Sequence, residues 1–220
     1  MDSARGADVS HSLNEVGALA RKAARGAGMS WGLAEDAARA IRWLEARGLA
    51  GAAALAAYLV WRDRGGMVAP LEVHSGLWRG MDGPLCPIAV GAYLSDSAAA
   101  GLPGESTLVS LRKPLLIVPF AAWAAEELGR DIKLECGDED VWLGRGGDAY
   151  CAGFAEIDEA DVSLRQEEVP GDAMRREVTT RCAAERGPLE VLEGFAGRTY
   201  APATEASRIA GAGAGTSDND

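Results

Sequence analysis

Three consecutive helix patterns between Ser12 and Gly66 constrain this chain more than any other part of it. Ser12-Leu13-Asn14-Glu15 is an S-x-x-E capping box, in which the serine and glutamate side chains satisfy amides that a helix start leaves unpaired. Leu13, Val16, Leu19 and Ala23 then recur at helical spacing until Gly26 and Gly28 end the run. A second pattern starts after Ser30, carries Leu33, Ala37, Ile41 and Leu44 on one face, and stops at Gly48. A third, rich in alanine, ends at Gly65-Gly66. Helices this short bury one apolar face only by packing on one another or on a neighbouring layer.

The rest of the chain predicts a different texture. In Leu71–Tyr93, Gly76, Gly80, Gly83, Pro84 and Pro87 break any long helix, and Pro87-Ile88-Ala89-Val90 reads as a short strand. Thr107–Leu111 and Leu115–Val118 also read as strands, limited by Pro114 and Pro119. Phe120–Gly129 predicts a helix with Phe120, Trp123, Ala124 and Leu128 on one face. Ile132–Cys136 alternates like a half-buried strand, and Trp142-Leu143 and Asp161–Gln166 suggest further strands. The expected fold class is α+β: an N-terminal three-helix unit packed on a mixed α/β core, with an extended C-terminal arm. The expected organisation is a polar leader over 1–11, a helical cap over 12–66, a core over 67–197 and a Gly/Ala-rich arm over 198–220.

At 48% hydrophobic and 25% charged residues the composition is that of a globular protein. The longest apolar runs, Gly48–Trp61 and Pro114–Ala125, fall short of the roughly 20 residues that cross a bilayer. No charged segment followed by an apolar one opens the sequence, so a soluble, cytoplasmic protein is expected. In that setting Cys86, Cys136, Cys151 and Cys182, which are far apart and form no C-x-x-C pair, read as free buried thiols. With only His11 and His74 to join them, no metal site and no cofactor are expected. The net charge of −11 is uneven: residues 1–66 hold nine basic side chains against seven acidic ones, whereas 126–168 hold fourteen acidic against four basic. Such a surface repels phosphate backbones and anionic lipid, so neither nucleic acid nor a membrane is an expected partner.

Candidate chemistry is sparse. His74, in the glycine-bounded Glu72-Val73-His74-Ser75-Gly76, is the one candidate general base. Ser75 beside it lacks a nucleophile elbow, and Cys86 between Leu85 and Pro87 reads as packing. Gly144–Asp148 is a glycine-rich turn with no helix after it to receive a phosphate, and Asp138–Asp140 suits a solvated turn. The C-terminal segment is better furnished: Arg198, Tyr200, Glu205, Ser207 and Arg208 place two guanidinium groups, a phenol, a carboxylate and a hydroxyl within eleven residues. Arginine forks read carboxylates and phosphates bidentately, so a small acidic ligand suits them. The alternating Gly/Ala run and the acidic Asp218 and Asp220 that follow suit an arm folded against the body or against a partner.

The two ends, SLNEVGALARKAARGAGMSWGLAEDAARAIRWLEARGL and RTYAPATEASRIAGAGAGTSDND, together resemble an uncharacterised bacterial family that carries a domain-of-unknown-function label. The resemblance implies that the arm is a family feature and brings no activity with it. More locally, Ala27-Gly28-Met29, the helix of Ala34–Ala40 and Glu45-Ala46-Arg47-Gly48 resemble the N-terminal helices of the malate/lactate/ureidoglycolate dehydrogenase family. That family follows its R-G with S-H-G, whose histidine is the catalytic acid/base; Leu49-Ala50-Gly51-Ala52 stands here instead. Hydride transfer therefore does not carry over. The reading that follows is an accessory or interaction subunit in small-molecule metabolism, with a protein partner or a second copy of itself. The alternative is an enzyme or binding protein for an organic acid, using His74 and the arginines of the arm.

Overall fold

The structure, a computed structural model, describes residues 11–182 and 184–199. The leader up to Ser10 and the arm from Tyr200 onward lie outside the described residues. Among the described residues the chain forms six helices and a seven-stranded mixed sheet, an α+β fold.

The capping box forms as its spacing requires. Helix α1 (Leu13–Gly26) begins where the Ser12 hydroxyl accepts from the Glu15 amide at 3.1 Å and the Glu15 carboxylate accepts from the Ser12 amide at 2.9 Å. Helix α2 (Trp31–Glu45) is capped by the Ser30 hydroxyl, and α3 (Gly51–Asp63) follows a tight corner. Val16, Ala20 and Ala23 of α1, Ala34, Ile41 and Leu44 of α2, and Leu55 and Leu59 of α3 face one another and are almost fully buried. A helix that its sequence hardly announces, α6 (Arg186–Gly197), returns to this block and packs on α1 and α3 through Leu189, Leu192 and Phe195. Gly187, Pro188, Gly194 and Gly197 give it poor intrinsic propensity, so burial of that apolar face is what forms it.

Strands β2 (Leu71–His74) and β3 (Leu77–Gly80) make a hairpin across Ser75-Gly76, both at positive φ, the twist that two-residue hairpins favour. Two segments expected as strands are helical instead. Pro87–Val90 opens helix α4 (Pro87–Ala98), with the Cys86 sulfur accepting from the Ala89 amide. Leu115–Val118 forms a 3-10 turn (Pro114–Ile117) that runs into helix α5 (Val118–Leu128). In each case a proline stands in the first turn, where its missing N–H costs nothing, and the apolar run is buried on all sides, a pattern that helix and strand share.

The strands β4 (Glu105–Arg112), β5 (Ile132–Cys136) and β8 (Glu159–Gln166) cover the segments expected, whereas β6 (Glu139–Leu143) also takes in Glu139 and Asp140, read from sequence as part of a turn, and the short β7 (Ala149–Tyr150) is not among the segments expected. The order across the sheet is β2-β3-β4-β8-β5-β6-β7, antiparallel except for the β3–β4 pair. Ile132, Leu134 and Cys136 point inward to the layer of α5. On the opposite face Lys133 bridges Glu135 and Asp140 at 2.8 and 3.0 Å, and Arg165 meets Glu135 at 2.6 Å. Helix α2 packs on α4 and α5, so one apolar cluster runs from Val16 through the sheet to Phe195. All four cysteines are buried and unpaired as disulfides. No helix among the described residues is long and apolar enough to cross a membrane.

Helices α1 and α6 meet so closely at their C-terminal ends that a methyl group on Gly26 would collide with the Phe195 carbonyl, a backbone atom that cannot swing away. Gly26→Ala is expected to lower stability by about 1–3 kcal/mol. Ser12→Ala, which removes only a cap, costs about 1 kcal/mol. Urea midpoints at constant m-value check both.

Candidate functional site: a furrow along the third helix

Helix α3 begins without a side-chain cap of its own, because its N-cap is Ala50. The deficit is met from the end of α2, where the Glu45 carboxylate accepts from the Ala52 amide at 2.8 Å. Glu45 is only 6% exposed and also accepts from the thiol of Cys182. Burial raises its pKa above the ordinary glutamate value; the hydrogen bonds from Ala52 and Cys182 pull the other way. Burial likewise pushes the Cys182 thiol up, which keeps it a donor and not a nucleophile.

The outer side of the same corner is held by cations. Arg176 donates from Nε to the Arg47 carbonyl at 2.9 Å and from its two terminal nitrogens to the carbonyls of Gly48 and Ala152, both at 3.1 Å. The Thr179 amide donates to the Ala46 carbonyl at 2.7 Å. The carbonyls of Ala46, Arg47 and Gly48, just past the end of α2, are thereby satisfied, and a positive charge sits at the negative end of the helix dipole. Arg47 donates to the carbonyls of Gly147 and Trp43 and lies 3.8 Å over the Trp43 ring. A two-residue ladder, β1 (His11–Ser12) with β9 (Arg181–Cys182), ties the strap formed by residues 175–182 back to the start of α1.

A cavity of about 960 Å³ opens beside the corner, bordered by Arg47, Arg175, Arg176 and Arg181 and by Glu177 and Glu185. It continues past Ala50 and Ala53 into a hollow of about 80 Å³ over Lys113, and then into a third space of about 500 Å³ beside Trp61 and Arg64. Glu156 borders all three, so they form one furrow. Its floor is a single face of α3 and its two flanks: Ala50, Ala53, Ala54, Ala57, Val60, Trp61 and Arg64, spaced three and four apart.

Lys113 lies under the middle of the furrow, 3% exposed, with Nζ 3.1 Å from Glu156 and 2.7 Å from Asp158. The lysine holds the Asp158 carboxyl below the usual aspartate range. Its backbone is left-handed, at φ 43 and ψ 67, and Ser110 three residues earlier is also at positive φ. The register between β4 and β8 shifts between Leu108 and Leu111, and the Asp161 carboxylate accepts from the Ser110 amide at 2.8 Å to hold the irregularity. Left-handed backbone at non-glycine residues costs of order 1–3 kcal/mol each and persists where its surroundings enforce it. Here the bulge turns Lys113 from the sheet into the furrow.

The residues singled out from sequence lie elsewhere. His74 is exposed at the end of the β2–β3 hairpin opposite Leu77, and it does not line the furrow. Cys86 is buried, its sulfur accepting from the Tyr58 hydroxyl at 3.0 Å. Arg198 grips Asp63 with both terminal nitrogens, at 2.6 and 3.0 Å, and stacks on Phe195. Tyr200, Glu205, Ser207 and Arg208 lie outside the described residues. The furrow residues gave little sign in the sequence: Arg175-Arg176 is a basic doublet in an acidic half, and Glu45 is an acid on an otherwise apolar helix end.

Residues 11–76 match the model of a family described as a protein of unknown function (DUF3726). The likeness that the opening helices carry to an uncharacterised family is thus found over α1–α3 and the first strand of the hairpin. The matched stretch holds the floor of the furrow and Glu45, and the arginines of the strap fall beyond it. No curated protein matches the chain.

Because the folded-state pKa of Glu45 is raised, its stabilising share is full below the ordinary value of 4.5 and declines as pH rises through the folded value. The native protein should therefore lose stability relative to Glu45→Gln as pH is raised from about 4.5 towards neutrality. Urea midpoints of the two proteins across pH 4–7, read as a difference, check this.

Proposed function

We propose that this protein works by binding and not by catalysis, as an accessory subunit whose furrow takes up an acidic, extended segment of a protein partner. The observation that carries this reading is the furrow itself: long, open, and bordered at one end by four arginines, of which Arg175 pairs with Asp148 at 2.7 Å, and four glutamates, in a chain of net charge −11. Two of the glutamates nearby are already engaged, Glu45 with the Ala52 amide and Glu156 with Lys113. Arg47 and Arg176 donate to backbone carbonyls, and among the described residues no carboxylate is bonded to either. Guanidinium groups held in place in this way are suited to carboxylates, since little rotamer freedom is lost on binding.

Shape favours a chain over a compact small molecule. A cavity of about 960 Å³ already stands at the upper end of small-molecule sites, and it runs on along α3 as a shallow track. The chemistry around it also favours binding: the Cys182 thiol is committed to Glu45, and the His74 ring is not among the lining groups.

Fluorescein-labelled hexaglutamate is the probe, followed by anisotropy at low salt. The double variant Arg175→Ala/Arg181→Ala, with its melting temperature compared to the native protein's, is expected to weaken binding at least tenfold, about 1.4 kcal/mol. Equal binding by native and variant proteins would overturn the reading. Citrate binding as tight as hexaglutamate would make a small organic acid the ligand instead.

A further inference from the structure

We infer that this protein pairs with a second copy of itself along strand β2, joining two seven-stranded sheets edge to edge about a two-fold axis centred on Val73. The surface lies apart from the furrow, which none of Leu71–His74 borders.

The two edges of the sheet differ. At the β7 edge the chain covers itself: Tyr150 bridges Arg175, the Cys151 amide donates to the Met174 carbonyl at 3.0 Å, and the Arg176 amide donates to the Ala149 carbonyl at 2.8 Å. At the other edge β2 ends the strand order, and among the described residues no segment pairs with its outer side. The bonds of the sheet fix which polar groups face outward there. The Thr107 amide donates to the Gly76 carbonyl at 2.8 Å, and the parallel register sets Leu77 beside Thr107 and Trp78 beside Leu108. The amide and carbonyl of Trp78 are thereby aimed at β4. Val73 stands opposite Trp78 in the hairpin, so its own amide and carbonyl turn away from β3 to the open edge, as do those of Leu71. Such an edge accepts a further strand unless a proline, a lysine or a bulge blunts it. Leu71-Glu72-Val73-His74 holds neither residue, and its ladder with β3 is regular.

The side chains select the occupant and the register. With Val73 opposite its own copy, the two valines exchange both main-chain hydrogen bonds, and Glu72 of each copy stands directly opposite His74 of the other. Cβ atoms at such a non-hydrogen-bonded position are about 4.5–5.5 Å apart, so a carboxylate meets an imidazole twice in one interface. Both groups are free to do so: His74 is exposed, and the nearest cation to Glu72 in its own chain, Arg79, is 3.7 Å away. A register centred on Glu72 sets two carboxylates against each other, which is destabilising. One centred on Leu71 sets Val73 opposite Ala69, whose amide already donates to the Pro84 carbonyl at 3.0 Å. On the other face of the strand the exposed Val73 abuts its copy beside the buried Trp78, whose ring meets that of the exposed Tyr93 edge-on at 5.4 Å. An apolar strip therefore backs the charged pairs.

Sedimentation equilibrium of the full chain over about 10–200 µM, the range suited to an interface this short, tests the inference. The mass is expected to rise from the 22.9 kDa of one chain towards twice that value. Val73→Pro removes an outward amide that no bond within the chain uses, and it is expected to weaken the dimer at least tenfold. His74→Glu puts like charges opposite each other and is expected to weaken it at least tenfold as well. Glu72→Lys/His74→Glu exchanges the two signs and is expected to restore the native dissociation constant to within threefold. Thermal midpoints at dilute concentration establish that each variant is folded, and the charge variants decide the matter if Val73→Pro is not. A native chain that stays at one-chain mass throughout overturns the inference. So does a dimer that His74→Glu leaves intact, or one that the folded double variant fails to restore.

Discussion

One hydrogen bond holds much of this structure in place: the amide of Ala52 donating to the buried carboxylate of Glu45. It replaces a cap that Ala50 cannot provide, and it fixes the angle at which α3 leaves α2. Since α3 is at once the support of α6 and the floor of the furrow, that angle sets where every other wall can stand. The acid is costly to bury, and the structure offsets the cost with an amide at a helix start and a thiol donor. Arg176 and Thr179 secure the other side of the corner by bonding the carbonyls of Ala46, Arg47 and Gly48 that follow α2.

The sheet contributes a second constraint of a different kind. An antiparallel ladder between β4 and β8 that kept its register would hold the strand straight through Arg112. The irregularity at Ser110 breaks it, and Lys113 leaves the sheet in left-handed conformation to meet two carboxylates beneath the furrow. Strain is thus concentrated at the place where the sheet and the helical block meet across a solvent-accessible track. Glu156 and Asp158 pair with the lysine, so the segment that walls the furrow also neutralises the charge beneath it.

Much of the fold was legible in the sequence, and the misreadings have one cause. The capping box, the periodicity of α2 and the alternation of β5 are local patterns, and they appear as written. Pro87–Val90 and Leu115–Val118 failed as strands because a short apolar run buried on every side has no polar face to show its period. The proline ahead of each was the signal available for a helix start. Helix α6 was silent because glycine and proline interrupt it, and only its apolar contacts with α1 and α3 compensate. The site was less legible still. Arg47, Lys113 and Arg176 come from segments far apart in the chain, and none carries a motif.

By itself the sequence determined the class of fold, the three opening helices, the alternating strands and the uneven charge, because each of these depends on neighbours within a few residues. Tertiary structure alone decided that Glu45 would cap a helix other than its own, that a bulge would turn Lys113 out of its strand, and that α6 would lie parallel to α3. Those outcomes depend on how neighbouring elements meet once packed, over separations from seven residues at Glu45 and Ala52 to 128 in the bond from Arg176 to the Gly48 carbonyl. The furrow is the space that such packing leaves between elements, and no single stretch of residues encodes it.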